Sequence, residues 1–398
     1  MQASSFYEIA KEQVDKNRGL YISYLEKAVS FDTTNPPGRE NALAGYLKEI
    51  MEKSGIPAHL QEVEAGRSNV IGTYDFGKGG KKLLLNAHMD VVAPGEIPWD
   101  SDPFVPVIKD GRLYARGAAD DKGGLIAMLT ALLIFKEIDK TDLNGSIEFC
   151  GVMGEEASGI GTKYWLEHGG KADAAIVGEP SKLEAVIAHR GAYRPQYSFI
   201  GHTAHSSEPY LGKNAVYAAA HFIREIEQLN ERLAAFVHPL TGAPTVAVTV
   251  VNGGKKVNVI PDLASVQLDR RLGPGESLEE AKRQIETILE NLQRQGRIGE
   301  YRMDKCLNVK GAALTEESED IVQAVRKTLK ENGYPFKTQG MKASTDMFIL
   351  TDAGIPSVIF APGDMSIAHM PNESISVDEF LRSIPLYVEI FARYFTQQ

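Results

Sequence analysis

Histidine and acidic residues follow several short apolar runs of this sequence, in a pattern that could bind metal ions. His88 follows LLLNA, and the adjacent pair Glu155 and Glu156 follows IEFCGVMG. Glu179 follows AAIVG, and His369 lies in the segment after SVIFAPG. Ligand sites in open α/β sheets lie beyond the carboxyl ends of the strands. We therefore expect these side chains to meet at one edge of a sheet.

Asp120 joins the same group, because it precedes an apolar helix that begins near Gly123. Each of these residues alone is more often a capping or surface group than a ligand. Acids crowded at one sheet edge would nevertheless repel one another unless a cation neutralised them. Two imidazoles with three carboxylates suit Zn²⁺, Co²⁺ or Mn²⁺, and ligation without cysteine argues against a purely structural zinc site.

The elements that must position these residues are predicted to be strands that alternate with helices. Uninterrupted apolar runs predict strands buried on both faces at KKLLLNAHMDVV, Ser146–Met153, Asp173–Gly178 and Pro356–Ala361. Helical spacing is found at Tyr7–Phe31, Asn41–Ser54 and Gly123–Ile138. The segment GKGGKK (Gly77–Lys82) is interpreted as a hairpin turn. This alternation predicts an α/β domain with a mostly parallel sheet flanked by helices.

The middle of the chain has a different pattern, which predicts a second domain. Its elements follow the order βαββαβ, at Tyr193–Ile200, Asn214–Ala235, Thr245–Val251, Ala264–Leu272, Ser277–Arg294 and Glu300–Leu307. That order is the ferredoxin-like unit, so we predict an inserted α+β domain over residues 188–310. The catalytic domain then consists of residues 1–187 and 311–398. A length of 398 residues agrees with two domains, since single cores stop growing at about 250–300 residues.

The composition excludes several classes of protein. Hydrophobic residues make up 43% and charged residues 24% of the chain, as in ordinary globular proteins. The net charge is -10 and there is no long basic run, so a nucleic-acid partner is not expected. The longest apolar stretch, Gly124–Phe135, is shorter than the ~20 residues of a membrane span, so no membrane association is expected either. The first residues lack the apolar run of a signal peptide, which predicts a cytoplasmic protein.

A set of motifs spread over the whole chain resembles one enzyme family. In order they are HMD, PWDSDPF, YARGAADDKGG, GEE, VGEPS, GHTAHSSEP, NVIPD, DRRLGPGES and AHMPNES. They are similar to the dinuclear zinc amidohydrolases that include acetylornithine deacetylase, succinyl-diaminopimelate desuccinylase, aminoacylase, glutamate carboxypeptidase and several dipeptidases. The set is specific for the family and weakly specific for any one member.

The resemblance implies a ligand set for two divalent metal ions, with zinc as the expected metal and cobalt or manganese as alternatives. His88 and Glu179 would hold one ion, Glu156 and His369 would hold the other, and Asp120 would bridge both. A hydroxide held between two such ions, about 3.5 Å apart, can attack a carbonyl group.

The resemblance also implies roles for the acids beside these ligands. Glu155 would be the general base that takes a proton from the water and passes it to the leaving nitrogen. Asp90 is expected to accept the second N–H of the His88 imidazole and so fix its tautomer. The family often has a cis peptide after the bridging aspartate, here between Asp120 and Asp121.

The inserted domain is expected to contribute to the site as a lid and dimerisation domain. By resemblance, His205 reaches the active site of the partner subunit and stabilises the oxyanion, with His202 as a competing candidate. By resemblance, Asn258 and Arg271 stand where the family binds the carboxylate or polar groups of the substrate, although a salt bridge on an exposed strand is an equally good interpretation of Arg271. The run ASTD (Ala343–Asp346) replaces a glycine-containing run of many members.

These inferences predict a homodimeric two-zinc hydrolase that cleaves the amide bond of small N-acyl amino acids or related N-acyl compounds. The alternative is a dipeptidase or carboxypeptidase, because the same site cleaves a peptide bond when the acyl group is an amino acid. A zinc-binding protein without activity is a further alternative, although the ligands and the base are all present. A two-metal phosphatase is disfavoured, because no Arg/Lys-rich phosphate cradle accompanies the ligands.

Overall fold

A computed structural model describes residues 5–77, 79–140 and 142–396, and these fall into two compact units. The first unit consists of the chain up to Ile187 together with Thr315–Gln339 and the residues from Thr345 onward. The second unit consists of Ala188–Leu314 and Gly340–Ser344. The short segment 340–344 thus clusters with the second unit, a detail that the sequence pattern does not show.

The helices are α1 (Phe6–Lys16), α2 (Arg18–Val29), α3 (Asn41–Lys53), α4 (Lys122–Glu137), α5 (Ile160–Glu167), α6 (Ala215–Leu233), α7 (Leu278–Arg294), α8 (Asp320–Glu331), α9 (Met347–Asp352) and α10 (Val377–Thr396). The single helical segment predicted near the start is divided at Asn17, whose φ of -114° and ψ of 20° leave the helical region. The Asn17 side chain donates to the carbonyl oxygen of Gln13 at 3.0 Å and so ends α1.

The strands are β1 (Ala58–Glu64), β2 (Arg67–Asp75), β3 (Lys81–His88), β4 (Val107–Lys109), β5 (Arg112–Tyr114), β6 (Gly145–Val152), β7 (Ala174–Val177), β8 (Ala185–His189), β9 (Gly191–Ile200), β10 (Thr245–Gly253), β11 (Leu263–Leu272), β12 (Glu300–Lys310), β13 (Ala313–Leu314), β14 (Thr338–Met341), β15 (Ser357–Ile359) and β16 (Ser374–Ser376). They form sheets of nine, four and three strands.

The nine-stranded sheet is mixed, with a parallel centre. Its order is β1-β2-β6-β3-β7-β15-β8-β13, with β14 beside β8. Strands β6, β3, β7 and β15 run parallel to their neighbours in this series, and the remaining pairs for which a register is resolved are antiparallel. The predicted hairpin turn at Gly77–Lys82 is wrong, because β6 lies between β2 and β3. Within that turn, Lys78 lies outside the described residues.

The parallel strands are buried, which explains their uninterrupted apolar sequences. Leu83, Leu84 and Leu85 of β3 are all inaccessible to solvent. Helix α4 packs against β3 and β6 on one side and against α10 on another, so it is apolar nearly all round. Helix α3 packs against β1 and β2, and α8 packs against β7 and β15. The carboxyl ends of β3, β6 and β7 therefore lie beside one another at one edge of the sheet.

The second unit contains a four-stranded antiparallel sheet in the order β10-β11-β9-β12. In chain order its elements are β9, α6, β10, β11, α7 and β12, so the first and third strands are central, as in a ferredoxin-like fold. Apolar residues of α6 and α7 and of the strands they cover, among them Phe199, Phe222 and Ile285, form its core. The predicted fold class, an α/β sheet domain with an inserted ferredoxin-like unit, is confirmed.

No helix within the described ranges combines the length and the apolar character that crossing a bilayer requires.

Candidate metal centre and catalytic loop

The first group of candidate ligands lies at the end of β3. The His88 Nε2 atom is 3.0 Å from Asp120 Oδ1 and 3.9 Å from Glu179 Oε1. Asp120 belongs to the turn before α4, and Glu179 follows β7, the parallel neighbour of β3. The peptide bond between Asp120 and Asp121 is cis. Asp121 Oδ2 accepts the main-chain N–H of His88 at 3.2 Å, which ties this turn to the end of the strand.

A second group shares Asp120 with the first. The His369 Nε2 atom is 3.0 Å from Glu156 Oε1 and 3.3 Å from Asp120 Oδ2. In each group, one ligand atom from every member lies within 4.8 Å of the others. Asp120 thus presents one carboxylate oxygen to His88 and the other to His369. A carboxylate shared in this way could contribute one oxygen to an ion in each group.

The charges of the site fit divalent cations. Burial raises the pKa of Glu179 well above its usual range, and the nearby carboxylates of Asp120 and Glu155 raise it further. Burial, with help from Asp120, raises the pKa of Glu156 to about 7. Hydrogen bonds to Asp120 and Glu156 raise the pKa of His369 to about 10. Protonated groups therefore balance the buried carboxylates here, and divalent ions bound by the same oxygen and nitrogen atoms would replace those protons.

The tautomer of His88 is set by the main chain. His88 Nδ1 lies 2.8 Å from the carbonyl oxygen of Asp90 and 3.6 Å from its carboxylate oxygen Oδ1. A carbonyl oxygen and a carboxylate can only accept, so Nδ1 donates to Asp90 and Nε2 donates to Asp120. Although burial opposes the change, hydrogen bonds to the carboxylates of Asp120 and Asp90 raise the pKa of His88 well above its usual range. A divalent ion bound at Nε2 would replace that proton and leave the proton on Nδ1. The Asp90 carboxylate, which the sequence analysis assigned to this imidazole, has closer partners.

These closer partners belong to the segment that carries the acid pair. Asp90 Oδ1 accepts the main-chain N–H of Glu155 at 3.0 Å, and Oδ2 accepts that of Glu156 at 3.2 Å. Oδ2 also accepts the side-chain N–H of Asn35 at 2.8 Å. Asp90 is completely buried. We call residues 153–161 the catalytic loop, after the role proposed below for Glu155, and Asp90 accepts N–H groups from both members of its acid pair.

The ends of the catalytic loop are held by Asn69. Its side chain accepts the N–H of Met153 at 3.0 Å and donates to the carbonyl oxygen of Gly161 at 2.9 Å. Inside the loop, Glu156 belongs to the second ligand group, whereas Glu155 belongs to neither group. Glu155 is nevertheless buried, with 4% of its surface exposed, and its charge acts on that of Glu179.

Glu373 is a buried residue of the site that the sequence analysis missed. Its Oε1 atom accepts the main-chain N–H groups of Ala119 at 2.9 Å and Asp120 at 3.0 Å. Its Oε2 atom accepts from Arg116 at 2.6 Å, and the Arg116 guanidinium lies 5.0 Å from the ring centroid of Trp99. These residues belong to the motifs AHMPNES, YARGAADDKGG and PWDSDPF. Their presence in these motifs was the one feature of the sequence that could have identified them as residues of the site.

The ASTD run also ends in a buried acid. Asp346 Oδ2 accepts from the Thr162 hydroxyl at 2.6 Å, and that hydroxyl accepts from Asn86 Nδ2 at 2.9 Å. Asn86 lies two residues before His88 on β3. A Cβ atom at Gly159 would lie 2.4 Å from Asp346 Oδ1, so the acid also packs against the catalytic loop. The structure thus gives Asp346 a supporting position beside the ligand strand.

His205 lies in the second unit, with an exposed side chain. Its Nδ1 atom accepts the main-chain N–H of Ser207 at 3.2 Å and lies 2.7 Å from the Ser207 hydroxyl. Because a main-chain N–H can only donate, the neutral ring carries its proton on Nε2. His205 therefore presents a donor, as stabilisation of an oxyanion requires. His202 pairs through its main chain with Lys213.

The two predicted substrate residues also lie in the second unit. Asn258 is exposed, and its carbonyl oxygen accepts the N–H of Ser206 at 3.1 Å. Arg271 forms two contacts with Asp269, from Nε to Oδ1 at 2.9 Å and from Nη2 to Oδ2 at 3.1 Å. The salt bridge considered as the alternative for Arg271 is therefore present, so a ligand carboxylate would have to share or replace Asp269.

The fold and the paired ligand groups together define a metal-dependent hydrolase of amide or peptide bonds. The model of peptidase family M20/M25/M40 matches residues 84–395, and the chain belongs to that family. The resemblance inferred from the motifs is thereby confirmed.

Relatives of the chain include several deacylases. A probable succinyl-diaminopimelate desuccinylase of Staphylococcus epidermidis is 26% identical over 404 residues, covering 94% of this chain and 97% of that protein. Acetylornithine deacetylase of Myxococcus xanthus is 31% identical over 376 residues, covering 90% of this chain and 93% of that protein.

Solved structures share the fold over almost the whole chain. Aminopeptidase PepT from Bacillus cereus has a TM-score of 0.79 at 22% identity and covers 94% of this chain and 98% of its own. A metallo-carboxypeptidase from Sulfolobus solfataricus has a TM-score of 0.74 at 23% identity, with coverages of 94% and 99%.

Proposed function

We propose that the chain is a two-metal amidohydrolase that cleaves the amide bond of small N-acyl amino acids or related N-acyl compounds. The observation that carries this proposal is the shared carboxylate of Asp120, which faces His88 with one oxygen and His369 with the other. The names of the curated relatives, desuccinylase and deacetylase, support an acyl group as the part that is removed.

The proposed ligands are the members of the two groups. His88 and Glu179 would hold one ion, Glu156 and His369 the other, and Asp120 both, with zinc as the proposed metal and cobalt or manganese as alternatives. When bound, such ions lower the pKa of an attacking water and stabilise negative charge that develops on a carbonyl oxygen.

Glu155 is the proposed general base. Its carboxylate would accept a proton from the attacking water and later donate it to the nitrogen of the leaving amine. Two features support this role: the side chain is buried beside the ligand groups, and its main-chain N–H is held by Asp90. When the position of a base is fixed before the substrate binds, little free energy is needed to orient it for the reaction.

The second unit would supply substrate contacts in a homodimer. We propose that His205 of one subunit donates from Nε2 to the oxyanion at the site of the other, and its tautomer supports that role. Asn258 and Arg271 are proposed to bind the substrate carboxylate. Since Arg271 already contacts Asp269, this binding would draw on the remaining donors of the guanidinium.

The experiment that tests the function combines metal analysis with a substrate panel. The purified chain is loaded with Zn²⁺, its metal content is measured, and N-acetyl, N-succinyl and N-formyl amino acids are compared with dipeptides. Two ions per chain and higher kcat/KM for an N-acyl amino acid are expected, together with loss of activity in Glu155→Gln.

Other results of the panel have defined meanings. Preference for dipeptides would replace the proposal by the dipeptidase or carboxypeptidase alternative. Two bound ions without turnover of any substrate would favour the alternative of a zinc-binding protein without activity.

A further inference from the structure

Asn35 is bonded to the carboxylate that holds the acid pair, although it lies outside every motif used above. Its Nδ2 atom donates to Asp90 Oδ2 at 2.8 Å, and the same oxygen accepts the N–H of Glu156. A carboxylate can only accept, so the amide nitrogen of Asn35 must face Asp90. The Asn35 side chain is thus the third donor on a completely buried acid.

The main chain of Asn35 is held against the segment that follows β3. Its N–H donates to the carbonyl oxygen of Val91 at 2.9 Å, and Thr34 forms a parallel bridge with Val91. The Thr33 hydroxyl donates to the carbonyl oxygen of Met89 at 2.7 Å. These hydrogen bonds fix the main chain from which the Asn35 side chain extends to Asp90.

The turn after Asn35 is held from the other side. The N–H of Gly38 donates to the carbonyl oxygen of Thr34 at 2.9 Å, and Gly38 has a φ of 85°. A Cβ atom at Gly38 would lie 2.1 Å from the Nε atom of Arg67, so the guanidinium packs directly on this glycine. Arg67 in turn forms a salt bridge with the buried Glu40. The turn cannot move away from Asp90 without disturbing this pair.

We propose that Asn35 is a positioning residue for the catalytic loop. Its amide keeps the Asp90 carboxylate in the orientation in which one oxygen takes the N–H of Glu155 and the other takes that of Glu156. Without Asn35 the carboxylate would be free to turn toward His88 Nδ1, now 3.6 Å away, and would loosen its hold on both amides. This inference rests on the proposed roles of the acid pair.

A matched control is available in the same segment. Thr33→Val removes a buried hydrogen bond of similar length between the same two stretches of chain, but Thr33 does not contact Asp90 through it. If Asn35 serves only to attach its segment, then Asn35→Ala and Thr33→Val should have the same consequences. If it positions Asp90, only Asn35→Ala should alter the catalytic loop.

The first measurement needs neither metal nor substrate. Hydrogen–deuterium exchange of the peptide covering 153–161 is followed in the metal-free wild type, Asn35→Ala and Thr33→Val. Asn35→Ala should speed exchange of the Glu155 and Glu156 amides at least ~10-fold, because the acceptor of both is no longer held, while Thr33→Val should leave them at the wild-type rate. Equal exchange in all three proteins would overturn the proposal.

The second measurement tests the catalytic consequence with the zinc-loaded enzyme and N-acetyl amino acids. Loss of a partner of this kind typically lowers activity or metal affinity about 10–100-fold, so kcat of Asn35→Ala should fall by that factor with KM nearly unchanged. In the Glu155→Gln background the same substitution should lower kcat by clearly less than its single-mutant factor, since one of the two acids that it positions is already disabled.

The outcomes separate the inference from the function on which it rests. If Glu155→Gln retains wild-type turnover, the proposed function fails whatever Asn35→Ala does. If Glu155→Gln is impaired and Asn35→Ala multiplies that loss by its full single-mutant factor, the positioning role is rejected and the proposed function stands. Wild-type kcat in Asn35→Ala would also reject the positioning role.

Discussion

Replacing Glu373 by glutamine should destabilise the first unit, because the change breaks a buried ion pair. The side chains of Arg116 and Glu373 are 1% and 0% exposed, and their closest atoms are 2.6 Å apart. Glutamine keeps an oxygen for the N–H groups of Ala119 and Asp120. It then turns its NH₂ group toward the guanidinium, which remains charged and without its counter-ion.

The expected size follows from this burial. Removing one partner of a buried ion pair costs about 3–5 kcal/mol, since the remaining charge is left uncompensated in the interior. The contact of Arg116 with Trp99 persists and offsets part of the loss, so we expect about 3 kcal/mol in the free energy of unfolding. For a domain of this size, that corresponds to a decrease in Tm of roughly 6–12 °C.

The assay is thermal unfolding of the metal-free proteins, with Asp378→Asn as the control. Asp378 pairs with Arg18 across side chains that are 71% and 51% exposed, so its replacement should cost less than about 1 kcal/mol. The double variant Arg116→Met/Glu373→Gln should recover part of the stability, because no buried charge is left unpaired. If Glu373→Gln unfolded within about 1 °C of Asp378→Asn, the reasoning about the buried pair would be refuted.

Further predictions concern the proposed chemistry. Glu155→Gln should keep both metals while kcat falls ~10²-fold or more, whereas Glu156→Gln should lose a metal; the opposite pattern in metal analysis would exchange their roles. Arg271→Lys should raise KM for carboxylate-bearing substrates far more than for their amides, because lysine cannot bind a carboxylate through two parallel N–H bonds, and equal effects would exclude carboxylate recognition there. Co-refolding equal amounts of His205→Ala and Glu155→Gln should restore about a quarter of wild-type activity if His205 acts across a dimer, and mixed dimers without activity would contradict this. Metal affinity should rise with pH up to about 10, because binding must displace protons from Glu156, whose pKa is about 7, and His369, whose pKa is about 10; chelator competition showing a flat profile would disprove this.

Much of the fold follows from local patterns in the sequence. The apolar runs at β3, β6, β7 and β15 predict buried strands because each run is long enough to be a strand and too apolar for a surface. The order βαββαβ in the middle of the chain predicts the ferredoxin-like unit, because each element can be identified from its own local pattern. Two predictions were wrong. The sequence predicted one helix where the structure has α1 and α2, because the pattern does not show where a helix ends. It also predicted a hairpin at Gly77–Lys82, because the pattern does not show which strands are neighbours in the sheet.

The candidate ligands were also accessible from sequence, because their position at strand ends is a local property. His88 and Glu179 follow strands that the apolar pattern identifies, and parallel pairing of β3 with β7 brings the two ends together. Glu156, His369 and Asp120 were identified in the same way, from their positions after apolar runs or before an apolar helix. Motif resemblance divided the five residues into two groups that share Asp120, and the structure brings the same two groups together. Their residue types alone dictate a preference for divalent cations.

Only the tertiary structure decides how these residues are held. The contact of Asn35 with Asp90 spans 55 positions of the chain, and that of Glu373 with Ala119 spans 254. No periodicity or spacing encodes such pairs, because each depends on the packing of elements that are distant in sequence. The same holds for the Asp90 carboxylate, whose oxygens accept the main-chain N–H groups of Glu155 and Glu156 at 3.0 Å and 3.2 Å, while its Oδ1 atom lies 3.6 Å from Nδ1 of the imidazole beside it. Sequence therefore determines which groups can do chemistry, and the folded chain determines which atoms each of them faces.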